Sequence, residues 1–252
     1  VVIYKQVEFI QTTSLGYNKD HIISFSKEGQ LEKDFAPFLS EVKNISGVVK
    51  ASQMTGDLPG RIGSTHGYTW EGMSEEDKKL KFYQIRGGYD LIELLGITLK
   101  DGRNFSKDFS TDKDAIIMNE TAVEMINLDN PVGRKFGNLN PNANTKEIIG
   151  VIENFHFQSL QEEVRPFFFS LSDRGNNLVV KIQAGTEKKT INQIEELYKR
   201  FNPGYPFEYK FLDDNYQTLY ASEERITVLS KYFGGIAILI SCLGLLGLAI
   251  FT

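Results

Sequence analysis

The glycine-rich stretch from Gly56 to Ser64 is the part of the sequence that comes nearest to a phosphate-binding loop. Backbone N–H groups of such loops cradle phosphates when the loop ends in Gly-Lys-Ser/Thr and opens a helix. The stretch reads GDLPGRIGS, so it lacks that ending, and Arg61 stands one place before the position of the lysine. We therefore predict an ordinary loop here. Neither a GxGxxG nor a GxSxG motif occurs in the chain.

The three histidines, His21, His66 and His156, are the next candidates for chemistry, as metal ligands or general bases. They lie far apart and none belongs to an HExxH pair, so a zinc site would need His156, Glu153 and distant residues. No nucleophile and base stand at a recognisable spacing. The sequence thus predicts no catalytic, cofactor-binding or metal-binding residue, and we expect a protein that is not an enzyme.

Composition and charge exclude further classes of protein. The 252 residues are 41% hydrophobic and 24% charged, which is ordinary for a globular chain. The formal net charge is −5, and the 28 basic residues are scattered. Because nucleic-acid binding needs clustered positive charge, we expect no nucleic-acid partner. The single cysteine, Cys242, has no partner for a disulfide within the chain.

The C-terminal stretch is apolar and uncharged. The 19 residues from Phe233 to Phe251 contain no charge, and as a helix they would cover roughly 28 Å, close to the hydrocarbon thickness of a bilayer. A buried central helix of a soluble protein is the alternative. We predict the start of a transmembrane helix over residues 233–252, with these residues in the span: Phe233, Gly234, Gly235, Leu239, Cys242, Leu245, Leu248 and Phe251.

A stalk helix is predicted over residues 213–232, directly before the apolar stretch. Asp213 and Asp214 can cap its N-terminus, and no Gly or Pro interrupts the chain before Phe233. A single helix could therefore run from the folded domain into the bilayer as a stiff rod. Apolar and aromatic residues repeat on one face of this helix, and they are Tyr216, Leu219, Tyr220, Ile226 and Leu229.

Two strand–helix–strand units can be recognised in the remaining sequence. The first has strands at residues 21–25 and 48–52, with a helical stripe from Leu31 to Ile45 between them. The second has strands at residues 178–182 and 207–211, with a helical stripe from Ile191 to Tyr198. Two such units can pair into one βαββαβ sheet with both helices on one side. We predict that residues 16–55 and 177–212 form this lobe of an α+β fold.

Residues 56–176 differ from the flanking segments, because they contain many predicted turns and short strands. We predict strands at residues 81–86, 115–118, 148–152 and 167–171, and helices near 89–95 and 120–126. This region is predicted to be a smaller, β-rich lobe inserted into the first. Residues 1–15 begin with a short apolar stub, which is either the end of a preceding membrane helix or a buried strand.

Four segments together resemble a known family. Residues 87–105 (GGYDLIELLGITLKDGRNF), 119–136 (NETAVEMINLDNPVGRKF) and 148–169 (IIGVIENFHFQSLQEEVRPFFF) resemble MacB-type periplasmic core domains. Residues 223–251 resemble the entry into the next membrane helix of an FtsX-like permease. As a whole, the sequence is similar to those of ABC-transporter permeases of Bacteroidetes. The resemblance implies a porter-like βαββαβ lobe split by a smaller, Sabre-like β-rich lobe.

The resemblance also implies a function. Such permeases lie in the bacterial inner membrane with this domain in the periplasm, form homodimers or heterodimers, and pair with a cytoplasmic ATP-binding subunit. They use ATP-driven motion to move the outer domain, either for efflux or in the behaviour called mechanotransmission. The lipid bilayer is a further implied partner, and a periplasmic adaptor or cell-wall hydrolase is an additional one. ATP hydrolysis is expected on a separate or fused nucleotide-binding domain.

Two other functions remain open from the sequence. An extracytoplasmic sensor domain of a signalling receptor would also deliver a stalk helix into the membrane. An FtsX-like regulator would activate a cell-wall hydrolase by contact. Ligand binding by the isolated domain would favour the sensor, and co-purification with a hydrolase would favour the regulator.

Overall fold

The computed structural model describes residues 15–58, 62–139, 144–157 and 163–214, together with residues 232, 233, 236, 242 and 243. The chain divides into two compact units. One is Ser14–Asn215, and the other comprises Val1–Thr13 and Tyr216–Thr252. The described residues of the second unit are helical and exposed: Tyr232, Phe233, Ile236, Cys242 and Leu243.

The first unit is built on one mixed sheet of twelve strands in the described part of the chain. The strands, in chain order, are β1 (Ile22–Ser26), β2 (Val48–Met54), β3 (Gly63–Thr65), β4 (Tyr68–Trp70), β5 (Phe82–Gly87), β6 (Leu99–Gly102), β7 (Ala115–Asn119), β8 (Lys135–Asn138), β9 (Lys146–Ile152), β10 (Phe167–Leu171), β11 (Asn177–Ile182) and β12 (Lys210–Phe211). Their main order across the sheet is β12-β1-β11-β2-β5-β10-β7-β9-β8-β4, with β3 on β5 and β6 on β9.

Helices are few in the described residues. The α-helices with both ends in the described residues are α1 (Phe35–Lys43), α2 (Leu91–Leu94), α3 (Glu120–Ile126) and α4 (Glu187–Phe201), and short 3-10 turns occupy Gly29–Glu32, Glu76–Lys79 and Ser110–Asp114. The predicted α+β class is therefore confirmed. The helical stripe that the sequence predicts from Leu31 is shorter than expected, because Pro37 lacks an N–H and is tolerated only in the first turn of α1.

The two predicted strand–helix–strand units lie side by side in the sheet. Their strands follow the order β12-β1-β11-β2, and each pair of neighbours is antiparallel. Alternate strand residues, including Ile23, Phe25 and Val180, are buried under α1 and α4. Both helices thus cover one face. The last predicted strand is reduced to β12, because Phe207 packs against Phe25 and Tyr198.

A second hydrophobic cluster lies in the other half of the sheet. Phe82, Phe136 and Phe168 form its centre, under α3. On β10, Phe167 contacts Phe155, Phe157 and Phe169, and Phe169 also stacks on Phe155. Parallel pairing occurs between β5 and β10 and between β7 and β9. The division into lobes at residues 56 and 176 stays a prediction, since one sheet runs through both regions.

Candidate functional site

A cleft of about 1010 Å³ opens where the two halves of the sheet meet. In this part of the sheet β2 and β5 pair at a single register position, Met54 opposite Gly87. Residues of β2, β5, β10, β4 and β8 line the cleft, together with the loops after β5 and β10. This is a concave surface large enough for a small organic ligand.

Two glycines allow β5 to end close to β2 at this point. A Cβ atom on Gly87 would lie 3.0 Å from the backbone oxygen of Gln53 in β2, and one on Gly88 would lie 2.7 Å from Oγ of Ser52 in the same strand. Side chains at these positions would therefore push the strands apart. The Gly87-Gly88 pair, which opens the first segment of the family resemblance, is explained by this close approach.

The floor of the cleft is polar. The Gln84 amide Nε2 donates to Oγ of Ser170 at 2.7 Å, and the Gln53 amide Nε2 donates to the carbonyl oxygen of Ser172 at 2.8 Å. Gln53 is only 6% exposed, and its Oε1 accepts no hydrogen bond from the described residues. Swapping the amide oxygen and nitrogen would leave the Ser172 carbonyl facing another oxygen, so the assignment is fixed by this contact.

The cleft walls are positively charged, although the chain as a whole carries a charge of −5. They carry six basic side chains and two acidic ones. Lys43 forms an ion pair with Asp90. The other acid is Asp173. In the part of the chain that the structure describes, the remaining five basic residues form no ion pair, and they are Arg86, Lys107, Lys113, Lys146 and Arg174.

Lys146 is the least exposed of these five residues, and its surroundings disfavour its charge. Burial lowers the pKa of Lys146, Asp114 opposes that change, and the positive charge of Arg86 lowers the pKa further. An anion placed beside Lys146 would raise the pKa of its amine, because a nearby opposite charge favours the protonated form. The site is therefore arranged to attract negative charge.

The predicted stalk residues are only partly described. Residues 212–214 are helical, so the helix begins at Leu212 and Asp213 lies in its first turn. Asp213 forms an ion pair with Lys19. The predicted stalk residues Tyr216, Leu219, Tyr220, Ile226 and Leu229 lie outside the described residues.

The predicted transmembrane stretch is described at few positions. Phe233 and Cys242 are helical and exposed, whereas Gly234, Gly235, Leu239, Leu245, Leu248 and Phe251 lie outside the described residues. Within the residues that the structure describes, no helix has the length and apolar character that crossing a membrane requires. The same residues contain no group of three or more His, Cys, Asp and Glu side chains able to hold a metal ion.

Solved structures with the same architecture identify the fold. The periplasmic region of MacB from Actinobacillus actinomycetemcomitans matches with a TM-score of 0.55 and 17% identity, over 87% of this chain and 98% of that one. This chain has the MacB-type periplasmic fold. The extracellular domain of YknZ, a noncanonic ABC-type transporter from Gram-positive bacteria, matches with a TM-score of 0.52 and 16% identity, over 75% of this chain and 97% of that one.

Sequence comparison gives no additional match. No protein-family model matches the chain, and no curated protein matches it. The MacB-type likeness is thus carried by the path of the backbone, at an identity where most side chains differ.

Proposed function

We propose that this chain is the periplasmic domain of an ABC transporter permease of the MacB/FtsX type, attached to the bacterial inner membrane. The observation that carries the proposal is the fold shared with the MacB periplasmic region over 87% of the chain. In this role the domain moves in response to ATP hydrolysis by a cytoplasmic ATP-binding subunit or a fused nucleotide-binding domain. Two permease copies, alike or different, would complete the membrane part.

The proposed organisation has two lobes. The porter-like lobe comprises residues 16–55 and 177–212, and the Sabre-like lobe comprises residues 56–176. The adjacency of β12, β1, β11 and β2 supports this division. So do the two separate hydrophobic clusters, one under α1 and α4 and one under α3.

Exposed apolar side chains support membrane attachment through residues 233–252. Tyr232, Phe233, Ile236 and Leu243 are between 52% and 69% exposed. Large apolar side chains close together on a surface mark contact with lipid or with another protein. The uncharged sequence from Phe233 to Phe251 favours lipid.

The proposed mechanism is that of a lever. The ion pair between Asp213 and Lys19 ties the first turn of the stalk helix to the segment before β1. A helix fixed at its base and continuous to the bilayer would carry a displacement of the membrane helix to the lobes. A flexible joint in the helix would lose that displacement.

The test uses the full-length permease with its ATPase in nanodiscs. Cys242 is replaced by alanine, and a spin label is attached to a cysteine at the exposed Lys188 of α4. The distance between labels in two permease copies is measured with ADP and with a non-hydrolysable ATP analogue. We expect a nucleotide-dependent change in distance. Insertion of three glycines after Thr227 should abolish this change while ATP hydrolysis continues.

The matched control inserts three glycines after Gly72, an exposed turn residue with open space around it. This control should leave the change in distance intact. An unchanged response in the Thr227 insertion would overturn the lever. A full-length protein that neither carries a fused nucleotide-binding domain nor associates with an ATP-binding subunit would overturn the transporter assignment.

A further inference from the structure

We propose that the cleft between the two halves of the sheet binds a ligand with two phosphate groups and several hydroxyl groups, in short a bisphosphorylated polyol. The proposal does not depend on the transport role, because it rests only on residues that line the cleft. Three features of the cleft carry it: its charge, the amide and hydroxyl groups of its floor, and its size.

The charge of the cleft sets the charge of the ligand. Setting aside the Lys43–Asp90 pair, the walls carry five basic side chains against the single acid Asp173, which leaves a net charge of about +4. A phosphate monoester carries about −1.5 to −2 at neutral pH. Two phosphate groups therefore balance the net positive charge of the cleft, whereas four carboxylates would be needed to balance it.

The kinds of cation also suit phosphate. Arg86 and Arg174 present planar guanidinium groups that donate to two oxygens at once, and the lysines supply compact charges. These residues come from four separate segments of the chain: Lys107 and Lys113 lie in one segment, and Arg86, Lys146 and Arg174 in the other three. Convergence of like charges from separate segments raises the energy of the free cleft, and a bound polyanion removes that repulsion.

The polar floor of the cleft points to hydroxyl groups on the ligand. Gln53 and Gln84 line this floor together with serines, and amide and hydroxyl groups both donate and accept hydrogen bonds. A phosphate dianion offers only acceptors, so hydroxyl groups on the ligand are needed to donate to the acceptor oxygens of the floor. The serine hydroxyls of the floor, at Ser52, Ser170 and Ser172, suit further hydroxyl groups.

The volume of the cleft excludes the smallest anions as the best ligand. At about 1010 Å³, it lies at the upper end of the range for small-molecule sites, which is about 300–1,000 Å³. Inorganic phosphate or pyrophosphate would leave most of this space to water. A phosphorylated sugar could span the opposite walls, either as a free solute or as the headgroup of a lipid.

Titration calorimetry on the 252-residue chain tests the proposal. The probes are fructose 1,6-bisphosphate, pyrophosphate, inorganic phosphate and fructose. We expect the bisphosphate to bind at least tenfold more tightly than pyrophosphate, and fructose not to bind. Binding to phosphatidylcholine vesicles, with and without phosphatidylinositol bisphosphate, tests whether the ligand is a lipid headgroup or a free solute. Binding to the lipid alone assigns a headgroup, and binding to the soluble sugar assigns a free solute.

Three variants connect binding to the cleft. Lys146→Gln and Arg174→Gln should each weaken bisphosphate binding about tenfold, while Lys188→Gln, which removes an exposed charge outside the cleft, should not change it. Gln53→Met should narrow the difference between the bisphosphate and pyrophosphate. Melting temperatures of all variants are recorded, so that loss of binding is separated from loss of folding.

Several results would overturn the proposal. They are no binding of any phosphorylated probe, equal binding by all probes, and equal weakening by Lys188→Gln. Tighter binding of an aspartate-rich peptide than of any phosphate compound would also overturn it, because that result assigns the cleft to an acidic protein partner.

Discussion

Nδ2 of Asn119 lies 3.0 Å from Oδ1 of Asn154, and this contact joins the end of β7 to the loop after β9. Asn119 also donates to the carbonyl oxygen of Arg165, and its Oδ1 accepts from the N–H groups of Ala122 and Phe167. One fully buried side chain therefore caps α3 and fixes the start of β10. Both asparagines lie in segments that carry the family resemblance.

Replacing Asn119 by alanine should destabilise the domain by about 3 kcal/mol, because it removes a helix cap and leaves buried N–H groups unpaired. Chemical denaturation measures this change. Asn119→Asp keeps the acceptor oxygen but sets a carboxylate oxygen against Oδ1 of Asn154 and the carbonyl oxygen of Arg165, so it should cost at least as much as Asn119→Ala. Asn18→Ala, at an exposed turn, is the control and should stay within about 0.5 kcal/mol of wild type. Equal losses for Asn18→Ala and Asn119→Ala would contradict this account.

Asp112 should make the stability depend on pH in acid. Its carboxylate is fully buried and accepts hydrogen bonds from Arg103 at 2.6 and 2.8 Å and from the N–H of Ser106 at 2.8 Å. Burial alone would raise the pKa of Asp112, but these hydrogen bonds and the charge of Arg103 outweigh it and lower the pKa. Asp112→Asn should therefore lose about 3 kcal/mol at neutral pH.

The sign of the pH dependence follows from the lowered pKa. The contribution of Asp112 is complete above the pKa of about 3.9 in the unfolded chain and is lost as pH falls through the lower pKa of the folded state. Denaturation at a series of pH values should show wild type and Asp112→Asn converging in acid. Asp129→Asn, which changes the same charge on an exposed residue, should show no such convergence. A constant difference down to pH 2 would disprove the role of the carboxylate.

Gly102 and Gly72 provide a matched pair of glycines with positive φ, +73° and +84°. A Cβ atom at Gly102 would lie 2.3 Å from the carbonyl oxygen of Ile149, whereas one at Gly72 would meet nothing within 4 Å. Gly72→Ala should cost about 1 kcal/mol for the backbone alone. Gly102→Ala should cost more, because β6 must move away from β9. Equal unfolding free energies of the two variants would show that the close approach is unimportant.

The ring of Phe167 should be a large contributor to stability. Its centroid lies 4.8–5.0 Å from those of Phe155, Phe157 and Phe169, and the side chain is fully buried. Phe167→Ala should destabilise the domain by about 4 kcal/mol. Phe109 is 47% exposed, so Phe109→Ala should cost less than about 1 kcal/mol in the same denaturation assay.

The sequence predicted the elements with strong periodicity or clear punctuation. The strand at residues 167–171 and the helix at 120–126 agree with β10 and α3 at both ends. The strands β3, β4, β6 and β8 were missed, since they have three or four residues each and too few alternating positions to show a period. Their pairing depends on distant partners, which a local pattern does not reveal.

The cleft could not be predicted from the sequence. Its unpaired cations lie between residues 86 and 174 in four separate segments, and as a sequence they are the scattered basic residues of an acidic chain. The pairing of β5 with β10, of β10 with β7 and of β7 with β9 brings these segments around one opening. The Gly87-Gly88 pair was a visible signal of close backbone approach, but it gave no indication of the charge around it.

The narrow join between β2 and β5 has a mechanical consequence. Two backbone hydrogen bonds cross it, from Thr55 to Arg86 and from Gly88 to Gln53. When a sheet is pulled across its strands, neighbouring strands separate most easily where few backbone hydrogen bonds join them. A ligand bound in the cleft would contact residues of both β2 and β5 and would hold the two strands together.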